Sequence, residues 1–389
     1  MVTLLLIWLA AQVVSASLVW LFTIGLGRQA NIDNPPRVVV IVAVKGPDSE
    51  FEHFLTHVFA QDYPPFRVIF SVESIDDPAV AQIEAWRARR PGQISIVVAG
   101  LSQDEGQKSA NLRAALKHIA ASDEVVVFAD ANIRPAREWL TRLVAPLMRG
   151  NADIVSGFAW IVVKNRTLAS YVLASMSAVL VTIPRLPLLN AAWGGSTAMR
   201  REVCEALDLD RAWRGTLSDD LQLTAVAQRA GYRIAAPREI LLRSFVAAGN
   251  LRDVAAEATR WLLLFRVYLP ATFALAIAGL SFSAAGWAVA FAGALTGHIA
   301  AAEILLAAFA LMLLRTAGRA LIVAQLWGKP GLMENRLFFV LDPLLAPVAA
   351  VLTAACAWAA LVTRRTTWAR TTYEIRGPQQ VRVVSRAAR

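Results

Sequence analysis

Carboxylates recur just past apolar runs in the middle of this sequence. Glu73 and the pair Asp76-Asp77 follow the run at 67–72. Asp130 follows the run at 124–128, within Phe-Ala-Asp-Ala-Asn. Asp219 and Asp220 stand in Thr-Leu-Ser-Asp-Asp-Leu and open a helical run to 230. Taken alone, each reads equally well as a turn residue or a helix N-cap, where aspartate satisfies free backbone N–H groups. Gathered on one rim, they would support a different chemistry. Carboxylate oxygens hold a hard divalent cation against phosphate oxygens and so stabilise a phosphate leaving group. A further carboxylate takes the proton from an attacking hydroxyl.

Other residue types suit the same chemistry. Lys108, in Gly-Gln-Lys-Ser-Ala-Asn, reads either as a solvated lysine at a helix start or as a cation beside phosphates. Trp193-Gly194-Gly195-Ser196-Thr197 is a turn in which backbone can approach a neighbour or a ligand closely. Arg260-Trp261 comes just before an apolar stretch. Interfacial anchoring accounts for that pair; so does an arginine on a diphosphate with the tryptophan at an acceptor mouth. His53 and His57 have helical i, i+4 spacing but no third ligand nearby, and read as a helix surface.

The elements that must position these groups alternate. Runs at 38–44, 67–72, 94–98 and 124–128 read as strands, and 50–60, 78–90 and 109–121 as helices. The pattern predicts an α/β domain with a mainly parallel sheet and helices on both faces. Ligands of such sheets sit outside the carboxyl ends of the strands, where the acidic groups fall.

Membrane segments flank this domain. The run at 2–26 is uncharged and long enough to cross a bilayer, and apolar stretches return at 267–295, 299–326 and 338–362. Arg28 and Arg37 follow the first span and no positive charge precedes it, which places the next segment in the cytoplasm, with a bacterial inner membrane the expected location. A single crossing by the last stretch would put a basic end outside. Asp342-Pro343 and Pro347 suggest a re-entrant or interfacial element instead; the alternative is that the stretch at 267–295 folds back on itself. The expected organisation is an anchor at 1–27, a catalytic domain at 37–265, a membrane domain at 266–363 and a basic cytoplasmic tail at 364–389. The net charge of +10 suits topology signals and anionic headgroups. No basic stripe with interleaved aromatics appears, so nucleic acid is not an expected partner. Two cysteines, Cys204 and Cys356, imply no disulfide framework.

The order and spacing of these motifs resemble family-2-type (GT-A) glycosyltransferases, most closely the ceramide glucosyltransferase group, whose signature is D1, D2, D3 and (Q/R)xxRW. Asp77 stands for D1, Asp130 for D2 and Asp220 for D3, and Glu257-Ala258-Thr259-Arg260-Trp261 for the last element. Val44-Lys45-Gly46, Gln61-Asp62-Tyr63-Pro64 and Leu269-Pro270-Ala271-Thr272 extend the similarity over 37–272. The resemblance implies a GT-A (nucleotide-diphospho-sugar transferase, Rossmann-like) domain beside transmembrane helices, a UDP-sugar donor with glucose as the first expectation, Mg²⁺ or Mn²⁺, and a membrane lipid acceptor in the bilayer. Ceramide is the first acceptor expected, with diacylglycerol or a hopanoid lipid as alternatives. It further implies inverting transfer with Asp220 as general base. Glu73, Asp77, Lys108, Asp130, Asp219, Arg260 and Trp261 would serve the donor, Trp193, Gly194 and Gly195 the acceptor, and Asp130 with Asn132 the metal. Two positions depart from the family pattern. Glu257 replaces Gln or Arg, and Asn132 makes the second motif Asp-Ala-Asn. No histidine occurs at 182–189 to assist an acceptor. Two other readings share parts of this pattern. A processive polysaccharide synthase would need more spans, and a catalytically silent membrane scaffold would bind no donor.

Overall fold

A computed structural model of the chain describes residues 1–24, 26, 31–46, 49–64, 66–182 and 190–387. Helix α1 (Val2–Thr23) precedes an α/β unit. This unit runs β1 (Val38–Ala43), α2 (Phe51–Val58), β2 (Phe66–Val72), α3 (Ala79–Arg89), β3 (Ile94–Val98), α4 (Gln107–Leu116) and β4 (Val125–Asp130). It continues through β5 (Ile133–Arg134), α5 (Trp139–Met148), β6 (Ile154–Ser156), β7 (Phe158–Val163), α6 (Leu168–Val181) and β8 (Ser196–Arg200). It ends with α7 (Arg201–Ala206), α8 (Leu209–Trp213), α9 (Asp219–Arg229), β9 (Ile234–Ala235) and β10 (Leu241–Val246). Four helices follow, α10 (Leu251–Tyr268), α11 (Pro270–Leu295), α12 (Ile299–Glu334) and α13 (Arg336–Val362). The last elements are β11 (Arg365–Trp368), β12 (Thr371–Gly377) and β13 (Gln380–Arg386).

A seven-stranded sheet in the order β3-β2-β1-β4-β8-β6-β9 organises the α/β unit. Its first four strands are parallel, and β8 runs antiparallel between β4 and β6. The sequence Val-Val-Val-Ile-Val-Ala forms the buried β1 because a central parallel strand must be apolar on both faces. Val40 and Val42 face one core with Phe51, Phe54, Leu55 and Val58 of α2. Val39 and Ile41 face the other with Leu112 of α4 and Trp213. The pairing of Ala43 with Asp130 sets the carboxyl ends of β1 and β4 side by side. A smaller sheet, β5-β10-β7, carries a third core that joins the α/β unit to α6, α10, α12 and α13.

Helices α1, α11, α12 and α13 are long and apolar enough to cross a membrane. The third apolar stretch ends near the expected place, because α12 kinks at Gly328, where φ is 63°. In α13, Pro343 and Pro347 do not interrupt the helix. It runs along the catalytic unit instead. Phe338 packs on Trp160 with ring centroids 5.8 Å apart, Asp342 accepts a 2.7 Å hydrogen bond from Ser175 of α6, and Cys356 reaches the Ala255 carbonyl of α10. At its far end Arg266 donates to the carbonyls of Leu361 and Thr363. The helix is continuous through both prolines, so they make no re-entrant break.

The expected basic tail differs most. Residues 365–386 form an antiparallel three-stranded sheet. Tyr373, Ile375 and Val381 point inward and pack with Leu217, Leu263 and Phe273, while Arg376 and Arg382 face outward and Arg386 turns in to Gln107 and Ser102. A period-two pattern with one apolar face folds as strand whatever its net charge.

Candidate active site

Three loops meet at the carboxyl ends of β1 and β4. The first precedes α4: the Gly106 N–H donates to the Thr216 carbonyl at 2.7 Å, and a Cβ at 106 would lie 3.0 Å from Leu217. Glycine at 106 therefore lets the first loop touch the second, which leads into α9. There Ser218 caps the helix, and Asp219 and Asp220 form its first turn. The Tyr268 hydroxyl accepts from the N–H groups of Leu217 and Ser218 at 2.8 and 3.3 Å, tying this loop to α10. The third loop is the Trp193-Gly194-Gly195 turn before β8.

Lys108 lies at the junction. Its Nζ is 2.8 Å from Asp130 Oδ1 and 3.3 Å from Asp219 Oδ2, and it donates to the Gly194 carbonyl at 3.3 Å. The Gly194 N–H donates to Asp220 Oδ2 at 3.0 Å, while the Ser218 hydroxyl and the Leu221 N–H hold Oδ1. A Cβ on Gly194 would sit 2.5 Å from Lys108 Nζ and 2.8 Å from Asp219 Oδ2. A side chain here would have to displace the lysine from its present position.

Burial and charge oppose one another in this cluster. Burial pushes the Asp219 carboxyl up, the Lys108 ammonium pulls it down, and Asp220 and Asp130 push it up again; the outcome is about 7. Burial alone would lower Lys108, but the carboxylates of Asp130, Asp219 and Asp220 hold it well above the ordinary lysine range. Lys108 is thus a fixed positive charge, and Asp219 is poised to titrate near neutrality.

A cavity opens beside this cluster, lined by Val44, Lys45 and Gly46 of the β1 loop, by Lys108, by Asp130 and Asn132, and by Trp368, Ala369 and Tyr373 of the C-terminal sheet. Asp130 keeps about a third of its side chain exposed (31%). Among the described residues no group of three or more His, Cys, Asp or Glu is arranged to hold a metal alone. Asp130 and Asn132 do present oxygen donors to the cavity, which suits a hard cation whose remaining ligands are phosphate oxygens and water.

The other expected residues fall into place as follows. Asp77 stands one layer behind the cavity: both its oxygens accept from the Gly46 N–H at 3.0 Å, and Oδ1 accepts from Ala79 N–H at 3.0 Å. It shapes the β1 loop rather than lining the cavity. Glu73 is buried and pairs with Lys45 at 3.3 Å. Arg260 and Trp261 both bond to Glu257, the tryptophan Nε1 at 2.8 Å. The departure at 257 therefore supplies an acceptor that orients both side chains. Arg260 also stacks on Trp368, 4.9 Å from the ring centroid. Trp193 packs against Phe158 at 5.9 Å, and Gly195 accepts from the Asp130 N–H. The expected stretch at 182–189 lies, except for Thr182, outside the described residues. Lys45, Tyr268, Trp368 and Tyr373 were missed. The first follows a strand in Val-Lys-Gly and was legible as a strand-end cation; the last two lay hidden in the supposed tail.

The fold is that of a GT-A glycosyltransferase domain joined to helices long and apolar enough to cross a membrane. The chain belongs to glycosyl transferase family 21, whose model matches residues 2–381. A ceramide glucosyltransferase of Komagataella phaffii is 30% identical over 128 residues, which are 31% of this chain and 25% of that protein. The matched segment thus spans about a quarter of that relative's length. The resemblance to the ceramide glucosyltransferase group is borne out by both findings. A mannosyltransferase of Pyrobaculum calidifontis, solved with GDP-Man and Mn²⁺, shares the fold with a TM-score of 0.51 at 22% identity. The likeness covers 84% of this chain and 99% of that one.

Proposed function

We propose that this protein transfers a hexose, glucose in the first instance, from a UDP-sugar to the hydroxyl of a membrane lipid, with ceramide the first acceptor and diacylglycerol or a hopanoid lipid the alternatives. The observation that carries this reading is the Lys108 ammonium held between Asp130 and Asp219, with Asp220 alongside, at a cavity open to a ligand. A sugar nucleotide brings a diphosphate that such a fixed cation can hold, and a leaving group whose developing charge it can stabilise. Lys45, paired with Glu73, is a second cation in the cavity lining. A divalent cation, Mg²⁺ or Mn²⁺, bound by Asp130 and Asn132 would supply further Lewis-acid stabilisation of the departing diphosphate.

Asp220 serves as general base. Its hydrogen bonds from Gly194, Ser218 and Leu221 fix the carboxylate while leaving lone pairs for a substrate proton. The lipid oxygen forms a bond to the anomeric carbon, the bond from that carbon to the diphosphate breaks, and the hydroxyl proton passes to Asp220. Attack opposite the leaving group inverts the anomeric centre through an oxocarbenium-like transition state.

The membrane setting supports a lipid acceptor. Helix α10 carries Glu257, Arg260 and Trp261, and it packs on α13, which runs along the catalytic unit. The C-terminal sheet docks on that unit too, so 37–265 and 365–386 share one side of the membrane. Positive charge after the first span and none before it supports the cytoplasmic side of an inner membrane for both. Incubation of purified protein with a panel of UDP-sugars and a total lipid extract, followed by mass spectrometry, tests the reading. One new glycolipid carrying a single sugar is expected. Long saccharide products, or no transfer from any donor, would contradict it.

A further inference from the structure

The C-terminal sheet does more than cover the catalytic unit. It grips both loops that carry the charged cluster. Gln379 donates to the carbonyls of Arg211, Ala212 and Arg214 at 2.8, 3.2 and 3.1 Å, and Val381 N–H donates to Gly215 at 3.2 Å, all just before the Asp219 turn. Val383 N–H donates to Gln103 at 2.9 Å, and the Tyr373 hydroxyl accepts from Gln107 N–H at 3.3 Å, next to Lys108. Its first hairpin then turns toward the cavity. Trp368 pairs with Thr371 across a two-residue turn, Ala369-Arg370, whose φ angles are 46° and 64°. Such a turn favours glycine or asparagine, so this sequence accepts a cost to make the reversal here. Trp368 and Ala369 form part of the cavity wall, which Lys45 and Gly46 also line. Behind the ring stands Arg260, stacked on it, with its Nε buried and without a hydrogen-bond partner among the described residues.

We infer that the β11–β12 hairpin is a wall of the donor site and that the Trp368 ring packs against a bound nucleoside diphosphate sugar, with Arg260 stiffening the ring from behind. The inference rests on the donor-site reading above and extends it to a segment outside the α/β unit. An aromatic wall is sequence-tolerant toward flat ligands and contributes through stacking. It also explains why Arg260 is spent on a tryptophan of the tail sheet: the arginine braces the wall as well as carrying charge.

Full-length protein in detergent is titrated with UDP in the presence of Mn²⁺ by calorimetry. Trp368→Ala should weaken binding by about tenfold or more, and Trp368→Phe should restore most of it. Arg382→Ala, on the exposed face of the same sheet, should leave the affinity unchanged. A second measurement needs no variant: trypsin cleavage of the wild type after Arg370 should slow at least about threefold when UDP and Mn²⁺ saturate the site. Unchanged affinity in Trp368→Ala, or unprotected cleavage while UDP is bound, overturns the inference and leaves the donor-site reading standing. A wild type that binds neither UDP nor GDP contradicts that reading itself, and the inference with it.

Discussion

Two charged clusters, one at the catalytic rim and one among the apolar helices, are built to opposite plans. At the catalytic rim three carboxylates, Asp130, Asp219 and Asp220, surround one cation, Lys108. Beneath, among the apolar helices, two arginines, Arg315 and Arg319, meet one carboxylate, Asp342. There Arg319 lies 2.6 Å from Asp342, which also accepts from Ser175 and Thr316 at 2.7 Å each, and both members of the pair are fully buried. The upper cluster opens on a cavity, and Asp130 keeps exposed surface for a ligand. The lower one is sealed, and its carboxylate spends its oxygens on α6, α12 and the arginine. Spare valence facing solvent marks a site that binds. A carboxylate whose oxygens are taken up across three helices marks a joint, here one between the catalytic unit and its apolar helices, even though Arg315 Nε and Arg319 Nε and Nη2 are buried without a hydrogen-bond partner among the described residues. Buried ion pairs are seldom net stabilising, but losing one partner strands the other.

Substitutions that separate the two roles follow from this contrast. The largest effect is expected from Asp220→Asn. Loss of the general base should lower kcat by about 10²–10⁴, with the UDP Kd unchanged, as measured by steady-state transfer and calorimetry. Near-normal turnover would remove Asp220 from the chemistry. Asp342→Asn should do the reverse. It leaves Arg319 without its counter-ion and should cost about 3–5 kcal/mol of stability, read as a lower Tm in detergent, while the UDP Kd of the folded protein holds. An unshifted Tm would show that the lower cluster is no joint.

A smaller effect tests the opposing forces in the upper cluster. Asp219 titrates at about 7 when folded and in the ordinary carboxylate range when unfolded. Between those values the folded state holds a proton that the unfolded state has lost, so this group's contribution to stability falls as pH rises and is gone above about 7. The Tm of Asp219→Asn should lack that slope, and identical pH profiles for variant and wild type would refute it. The smallest effect belongs to Glu257→Gln, which restores a family-pattern residue. Glutamine keeps one acceptor for Arg260 or Trp261 but loses the charge, and a change of about two- to fivefold in kcat/KM is expected. A hundredfold loss would mean that Glu257 touches substrate.

How much of this was legible depended on how local the cause was. The four parallel strands fell within two residues of their expected runs because a strand buried on both faces must be a continuous apolar run, and β1 is one. Asp130 and Asp220 could be singled out because a strand end and a helix N-terminus are local features. Asp77 obeyed the same rule with a different outcome. It lies at a strand end, but a nearby turn, Gly46, takes its oxygens. The burial of Lys108 could not be read locally. It needs the turn at Gly194 and the loop at Leu217 to converge from far along the chain. The C-terminal sheet is masked by its arginines, although the period-two alternation Tyr373-Glu374-Ile375 runs through them.

The central claim is that Asp130 and Lys108, with Asp220 alongside, define one donor pocket whose affinity depends on a divalent cation. UDP titrated into wild type and Asp130→Ala, with Mn²⁺ and with chelator, tests it most directly. The account predicts tight binding by the wild type only with Mn²⁺, and weak binding by the variant that Mn²⁺ does not improve. Equal affinity of the two proteins, with metal or without, would contradict it.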